Sequence, residues 1–337
     1  ELEQETLPAI GWREVPINKS VLGDIAASSL PWIQQIFIAA PPGWKAKDVE
    51  RRLFMARRRI EKKINDKDFY ICSLSTQILI YKGLCMPSDL PLFYLDLADI
   101  RLQSAIVLFH QRFSTNTSPR WSLAQPFRYL AHNGEINTIS GNRAWTKARS
   151  YKYKTPLIPD LNTAFPLINE HGSDSSSLDN MFEVFVNGGM DIFRAMRLLI
   201  PPAWQNNPDM DDDLRAFYSF NSIHMEPWDG PAGVVFSDGR YAACTLDRNG
   251  LRPARYVITS DQLITISSEI GIWDYSPDEV VEKGRIGPGE LLVIDTKLGK
   301  LLNSELIDAQ IKSRHPYQEW LKKNVLYLHP YENLSQE

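Results

Sequence analysis

Ser-Asp-Ser-Ser-Ser-Leu-Asp-Asn-Met-Phe-Glu-Val-Phe at residues 173–185 decides how the fold is organised. A Ser or Asp before an apolar-periodic run is a typical helix start, because its side-chain oxygen accepts a hydrogen bond from a free backbone N–H. The run predicts a helical stretch from about residue 176 to residue 200, broken near Gly188-Gly189 and ended by Pro201-Pro202. A second helix is predicted at 136–149.

Runs typical of β-strands lie on both sides of these helices. They are 69–75, 78–81, 104–111, 127–131, 232–236, 241–246, 256–258, 263–267, 291–294 and 300–302. The last six form three pairs around short polar turns, which predicts antiparallel hairpins. Antiparallel sheets with helices grouped between them indicate an α+β fold.

Three short polar runs could assemble into one site for a free amino acid. They are Gln-Arg-Phe-Ser-Thr at 111–115, His-Asn-Gly-Glu at 132–135 and Ser-Asp-Ser-Ser-Ser at 173–177. The guanidinium of Arg112 suits an α-carboxylate, and the carboxylate of Asp174 suits an α-ammonium. Asn133 and Gly134 stand at a strand-to-helix corner, where amide and backbone N–H groups can stabilise oxyanion charge.

Each of these residues also has a purely structural interpretation. Arg112 alone would be a surface ion-pair partner. Asn133-Gly134 alone is a common hairpin turn, although a helix rather than a strand is predicted after it. Asp174 alone would be a helix cap.

Taken together, the runs resemble a known family. The stretch from His110 to Arg149 is similar to the class II glutamine amidotransferase domain of glutamate synthase large subunits, and most of all to the bacterial NADPH-dependent type. The similarity continues through Gly-Ser-Asp-Ser-Ser-Ser-Leu-Asp-Asn at 172–180, Pro-Pro-Ala-Trp-Gln-Asn-Asn-Pro at 201–208, Glu-Pro-Trp-Asp-Gly-Pro-Ala at 226–232 and Leu-Asp-Arg-Asn-Gly-Leu-Arg-Pro-Ala-Arg at 246–255. It implies the four-layer αββα sandwich of N-terminal-nucleophile hydrolases.

The resemblance implies roles for the site residues. Arg112 would bind the α-carboxylate of L-glutamine, and Asp174 its α-ammonium. The side-chain amide of Asn133 and the backbone N–H of Gly134 would form the oxyanion hole. Thr115 would be a further substrate contact.

His132 is a further candidate substrate contact that flanks the proposed oxyanion hole. Its alternative interpretation is a neutral histidine satisfied by a local hydrogen bond, because the implied mechanism needs no imidazole.

In the family, an N-terminal cysteine attacks the γ-carboxamide of glutamine, with its own α-amino group as the base. This sequence begins at Glu1 and contains Cys72, Cys85 and Cys244, none beside a polar run of the site. We therefore expect a domain without its N-terminal segment, inactive as written. The alternative is a non-catalytic glutamine-binding or regulatory module with the same pocket.

The resemblance also implies the surroundings of the domain. Residues 1–312 would form the amidotransferase domain, and residues 313–337 a connector toward a synthase domain. Ammonia would pass to that domain, which makes glutamate from 2-oxoglutarate with FMN, an iron–sulfur cluster and NADPH from a reductase small subunit. The intact enzyme would be an oxidoreductase, and no cofactor or metal ligand set is expected in this chain.

Composition and charge exclude other classes of function. The chain has 337 residues and 43% hydrophobic content, enough for a large core, and no apolar run of membrane-spanning length is evident. Three cysteines without a pairing framework indicate a reducing compartment, so we expect a cytoplasmic protein. The basic stretch 47–67 is interpreted as an amphipathic helix with solvated arginines, and the net charge of −4 argues against nucleic-acid binding.

Overall fold

The computed structural model describes residues 1–64, 66, 68–113 and 118–326. The α-helices in that part of the chain are α1 (Asp24–Ser28), α2 (Ala46–Ile64), α3 (Leu90–Phe93), α4 (Ile139–Ala148), α5 (Asp174–Asn187), α6 (Ile192–Leu199), α7 (Asp212–Ser222), α8 (Ser304–Lys312) and α9 (Tyr317–Asn324). The strands are β1 (Ala9–Glu14), β2 (Gln34–Ile38), β3 (Leu130–Gly134), β4 (Ala232–Ser237), β5 (Tyr241–Leu246), β6 (Arg255–Thr259), β7 (Ile264–Ser267), β8 (Val280–Arg285), β9 (Leu291–Asp295) and β10 (Lys300–Leu302).

A five-stranded antiparallel sheet in the order β10-β9-β5-β4-β3 forms the centre of the molecule. Strand β3 pairs with β4 so that Leu130 lies opposite Phe236 and Gly134 opposite Ala232. A three-stranded sheet, β7-β6-β8, and the two-stranded antiparallel sheet β1-β2 complete the sheets of the described residues. The mixture of helices and antiparallel sheets confirms the predicted α+β class.

The two faces of the central sheet bury different side chains, because neighbouring residues in a strand point to opposite faces. Val234, Phe236 and Val293 belong to the main core, which α5 and α6 cover. The rings of Phe182 on α5 and Phe236 meet edge to face, with centroids 5.4 Å apart. Cys244 belongs to a smaller cluster on the opposite face, where β6 and β7 contribute apolar residues.

The predicted helices and hairpins of the second half of the chain are confirmed. Ser173 caps α5, because its side-chain oxygen accepts from the backbone N–H of Ser176 at 3.1 Å. The break falls between α5 and α6, and α6 ends before Pro201-Pro202. The pairs β4-β5, β6-β7 and β9-β10 are antiparallel, as predicted.

The strands predicted at 69–75, 78–81 and 104–111 are wrong for the described structure, in which these residues have no strand conformation. A strand is stable when a neighbouring strand pairs with its N–H and C=O groups. No strand of the described residues pairs with these segments. Their apolar side chains are therefore only partly covered, and Val107 is 76% exposed.

Helix α2 corrects the interpretation of the basic stretch. Its apolar face is buried as predicted, but Arg57 does not lie on a solvated side: it is 1% exposed. Its guanidinium donates to Glu61 on the same helix at 2.9 Å and to Glu183 on α5. Arg58 and Arg59 are also largely covered, at 12% and 16% side-chain exposure. Arg57 therefore joins α2 to helix α5 of the core, whereas Arg59 pairs with Glu5 and Asp160.

The sequence predicts that the domain ends at residue 312 and that a connector follows it. The structure describes this connector region up to residue 326. Helix α9 packs on α7, where Tyr317 is 2% exposed and its ring lies 5.4 Å from that of Phe217. We therefore propose that the compact domain extends through α9, so that a connector would begin after it.

In the described ranges, no helix is both long enough and apolar enough to cross a membrane.

Replacing Arg57 with Ala should lower the free energy of unfolding by about 3–5 kcal/mol, because it leaves Glu183 buried without its cation. Urea unfolding measures this change. Lys47→Ala, at an exposed position of the same helix, is the control and should change stability by less than about 0.5 kcal/mol. Equal effects of the two substitutions would contradict the assigned role of Arg57.

Candidate active site

Helix α5 holds strand β3 through two carboxylates. Asp179 Oδ1 accepts from the backbone N–H groups of Tyr129 at 2.8 Å and Leu130 at 3.3 Å, where the strand begins. Asp174 Oδ2 accepts from the N–H of Ile136 at 2.8 Å, just after the strand ends. These contacts place the end of β3 beside the first turn of α5.

Gly134 occupies a position that admits no side chain. Its φ is +138°, and a Cβ built there would lie 1.8 Å from the carbonyl oxygen of Pro231. The same carbonyl accepts from the N–H of Glu135 at 2.9 Å. The corner after β3 is therefore fixed by a close backbone contact that only glycine permits.

Asn133 is positioned by an arginine to which the sequence analysis assigned no role. Arg252 donates to Asn133 Oδ1. Because a carboxamide has one acceptor oxygen and an NH₂ donor group, this contact leaves the NH₂ group available to donate elsewhere. Arg252 lies in the run at 246–255 that is similar to the family. That similarity is the signal in the sequence that could have marked Arg252 as a site residue.

His132 is buried, with 1% exposure, and its Nδ1 lies 2.9 Å from Ser175 Oγ. Burial lowers its pKa, although the Asp174 carboxylate, 3.9 Å from Nδ1, acts in the opposite direction. This geometry matches a neutral histidine with a local hydrogen bond. Its contact with substrate stays a prediction.

Gln125 acts as a partner for the backbone of β3, which forms one edge of the central sheet in the described structure. Its Oε1 accepts from His132 N–H at 2.7 Å, and its Nε2 donates to the His132 carbonyl at 3.0 Å. Gln125 thus supplies one donor and one acceptor to this edge. Sequence reasoning missed it, because an isolated Gln carries no pattern that indicates this contact.

Arg112 and Thr115 are the remaining predicted site residues. Arg112 is exposed and has a φ of +88°, a left-handed conformation that is uncommon outside glycine. Within the described ranges, no hydrogen bond or ion pair joins Arg112 to Asn133, Gly134 or Asp174. Thr115 lies outside the described residues.

The environments of the three cysteines differ. Cys244 is buried in β5, and burial raises the pKa of its thiol to about 12. Burial also raises the pKa of Cys85, and Asp89 adds to that effect. Cys72 is half-buried. Since the thiolate is the nucleophilic form, the surroundings of Cys85 and Cys244 oppose reactivity.

In the described part of the chain, no group of three or more His, Cys, Asp or Glu side chains is arranged to hold a metal ion. The acidic run at 209–213 begins helix α7 instead. Asp211 Oδ1 caps the helix by accepting from Leu214 N–H at 3.0 Å, and it lies 2.8 Å from Lys312 Nζ.

The sequence of residues 1–320 matches the family model of the class-II glutamine amidotransferases. The chain belongs to this family. Its membership confirms the predicted α+β sandwich of the N-terminal-nucleophile type, of which the described residues show a helical layer and two sheets. It also confirms the family resemblance found in the motifs.

Curated relatives of this amidotransferase chain include glutamate synthases. It is 43% identical over 333 residues to the glutamate synthase [NADPH] large chain of Bacillus subtilis (strain 168), covering 98% of this chain and 22% of that one. It is 43% identical over 322 residues to the ferredoxin-dependent glutamate synthase 2 of Synechocystis sp., covering 94% and 21%. The chain thus spans about a fifth of the length of these relatives.

Among solved structures, the glutamine phosphoribosylpyrophosphate amidotransferase of B. subtilis, complexed with ADP and GMP, aligns over 58% of this chain and 33% of its own. The sequence identity is 16%, and the TM-score is 0.33.

Replacing Gly134 with Ala should destabilise the protein by more than about 2 kcal/mol, because the new methyl group meets the Pro231 carbonyl in a strained backbone conformation. Gly141→Ala is a matched control: a Cβ there meets no atom within 4 Å, and alanine should raise the stability of α4 by about 0.5–1 kcal/mol. Thermal unfolding compares the two. A Gly134→Ala protein as stable as the parent would contradict the close contact.

Asp179→Asn should flatten the pH dependence of stability. Burial, reinforced by Glu183, raises the pKa of Asp179 to about 6, above its value in the unfolded chain. The stability from this group is therefore full below about pH 4 and is lost as the pH rises through 6. Between pH 4 and 7 the parent should lose about 2–3 kcal/mol more than the variant, measured by urea unfolding. Parallel profiles would contradict the raised pKa.

Proposed function

We propose that this chain is the glutaminase domain of a glutamate synthase and that its site hydrolyses L-glutamine to L-glutamate and ammonia. The observation that carries the proposal is the corner between β3 and α5, where Asn133, Gly134 and Asp174 are held together in a class-II amidotransferase. The curated relatives are named as glutamate synthases, which supports the assignment to that enzyme.

The proposed roles follow the chemistry of each group. The NH₂ group of Asn133 and the N–H of Gly134 donate to the oxygen of the γ-carboxamide as it gains negative charge. Asp174 accepts from the substrate α-ammonium. Its side-chain exposure of 20% supports this role, because the carboxylate remains partly accessible to a ligand. Arg112 binds the α-carboxylate through its planar guanidinium.

His132 and Thr115 are the remaining proposed substrate contacts. The buried His132 is proposed to contact the substrate beside Asp174, because its Nδ1 lies 3.9 Å from the Asp174 carboxylate. Thr115 is retained from the family motif that also contains Arg112.

A cysteine thiolate attacks the carboxamide carbon, ammonia leaves with a proton from the general base, and water then hydrolyses the thioester to glutamate. We propose that this cysteine lies outside the present sequence and that the chain as written is inactive. The raised thiol pKa values of Cys85 and Cys244 support a nucleophile elsewhere.

In the intact enzyme, we propose that the ammonia passes to a synthase domain of the same polypeptide, where it combines with 2-oxoglutarate to form glutamate. That domain would hold FMN and an iron–sulfur cluster, and a reductase small subunit would deliver electrons from NADPH. The partial coverage of the relatives supports further domains in the complete protein, which we place in the cytoplasm.

Asp174→Asn should weaken L-glutamine binding to this chain at least about tenfold, because a hydrogen bond to the ammonium loses its charge. The amide oxygen can still accept from Ile136 N–H, so the fold should be retained. Asp191→Asn is the matched control: Asp191 Oδ1 caps α6 by accepting from Phe193 and Arg194 N–H, and its replacement should leave affinity unchanged. Isothermal titration calorimetry measures both.

Ammonia release from L-glutamine then separates a glutaminase from a non-catalytic binding module. We expect none from this chain and turnover from the full-length protein. A full-length protein that binds glutamine without hydrolysing it would overturn the glutaminase assignment and support the binding module. Equal loss of affinity in Asp174→Asn and Asp191→Asn would reduce Asp174 to a structural role.

A further inference from the structure

The side chain of Arg252 crosses the strand pair that carries the proposed oxyanion hole. Gly233 on β4 lies directly opposite Asn133 on β3. A Cβ built on Gly233 would lie 3.4 Å from the Cβ of Arg252, so a larger side chain at this position would compete with the arginine for space. Glycine inside a strand often marks such a close approach. It leaves room here for Arg252 to reach Asn133.

The turn before Arg252 is held by a buried carboxylate. Asp247 is 2% exposed, and its carboxylate accepts from the backbone N–H of Leu251 at 3.1 Å. The same carboxylate accepts from the N–H of Ala232 at 3.0 Å, and Ala232 lies opposite Gly134. The turn that carries Arg252 is therefore anchored to the strand pair next to the proposed oxyanion hole.

The contact between Arg252 and Asn133 fixes which way the carboxamide points. A guanidinium has only donors, so the atom of Asn133 that faces it is the acceptor Oδ1. The NH₂ group then points away from Arg252. Without the guanidinium, the carboxamide could turn over and present its oxygen where the NH₂ group should donate. An oxygen at that place would repel the negative charge of an oxyanion.

The positive charge of Arg252 has no carboxylate partner in the part of the chain that the structure describes. Arg197, by comparison, contacts Asp308 at 3.1 Å. The Nε of Arg252 is buried, and Asn133, which accepts from its Nη2, is neutral. A partly buried cation without a counter-charge is costly, and negative charge that develops beside Asn133 lowers that cost. The arrangement therefore favours the transition state over the resting site.

We propose that Arg252 is a positioning residue of the glutaminase site, which holds the Asn133 carboxamide with its NH₂ group toward the γ-carboxamide oxygen of the substrate. Its positive charge strengthens that donor as the oxyanion forms. This role rests on the proposed glutaminase function. Because Arg252 acts through Asn133 and not on the substrate itself, its loss lowers kcat and leaves KM nearly unchanged.

Ammonia release from L-glutamine by the full-length protein measures this role. Arg252→Met removes the donor and the charge, and we expect kcat to fall about ten- to hundredfold with KM changed less than about twofold. Arg252→Lys should lose less than about fivefold, because one nitrogen of the guanidinium contacts Oδ1 and an ammonium can also donate there. Arg255→Met, at an exposed position of the same segment, is the matched control and should leave both constants unchanged.

A double-mutant cycle tests whether Arg252 acts through Asn133. In an Asn133→Ala protein the carboxamide is absent, so the further loss of kcat from Arg252→Met should shrink to less than about twofold. The same loss as in the parent would overturn the proposal, because Arg252 would then act by another route. A raised KM with an unchanged kcat in Arg252→Met would also overturn it, since the arginine would then bind the substrate.

Two outcomes separate this role from the glutaminase assignment. A full-length parent that binds L-glutamine and releases no ammonia would overturn both. An active parent whose kcat is unchanged in Arg252→Met would overturn the role of Arg252 alone. Circular dichroism checks that each variant is folded. If Arg252→Met does not fold, Arg252→Gln replaces it with the same expected loss, because its shorter side chain cannot reach Asn133 Oδ1.

Discussion

The carboxylates of Asp174 and Asp179 accept hydrogen bonds from backbone N–H groups at the two ends of strand β3, and the position of the proposed site residues depends on these contacts. A carboxylate that accepts from backbone N–H groups forms stronger bonds than a neutral acceptor does. Because both belong to helix α5, strand and helix are held as one unit. A movement of α5 would therefore move Asn133 and Gly134 with it.

Burial makes this arrangement strong and also sensitive to charge. Asp179 is fully buried one turn before Glu183, and Glu183 is paired with Arg57 of helix α2. The same low-dielectric surroundings strengthen each ion pair and oppose the ionisation of an acid that lacks a full partner. The network thus connects α2 and α5 behind the strand that carries the proposed oxyanion hole.

The first turn of α5 combines structural and proposed catalytic roles. Ser173 caps the helix, whereas Asp174 holds the N–H of Ile136 and keeps part of its carboxylate accessible. The helix cap is therefore Ser173, and the neighbouring Asp174 is left for the proposed contact with substrate. Gly134 contributes in another way, since the absence of a side chain allows its backbone to approach Pro231.

The sequence by itself determined the ends of α5 and α6, three hairpins and the family, because caps, prolines, polar turns and long motifs are local signals. It also selected the corner at Asn133-Gly134. Tertiary structure alone decided that Arg57 is buried, that Arg252 orients Asn133 and that segments such as 104–111 lack strand structure. Arg252 and Asn133 are 119 residues apart, and local periodicity cannot encode which distant partner satisfies a polar group. That choice depends on how the elements pack, because burial makes each unpaired donor or acceptor costly.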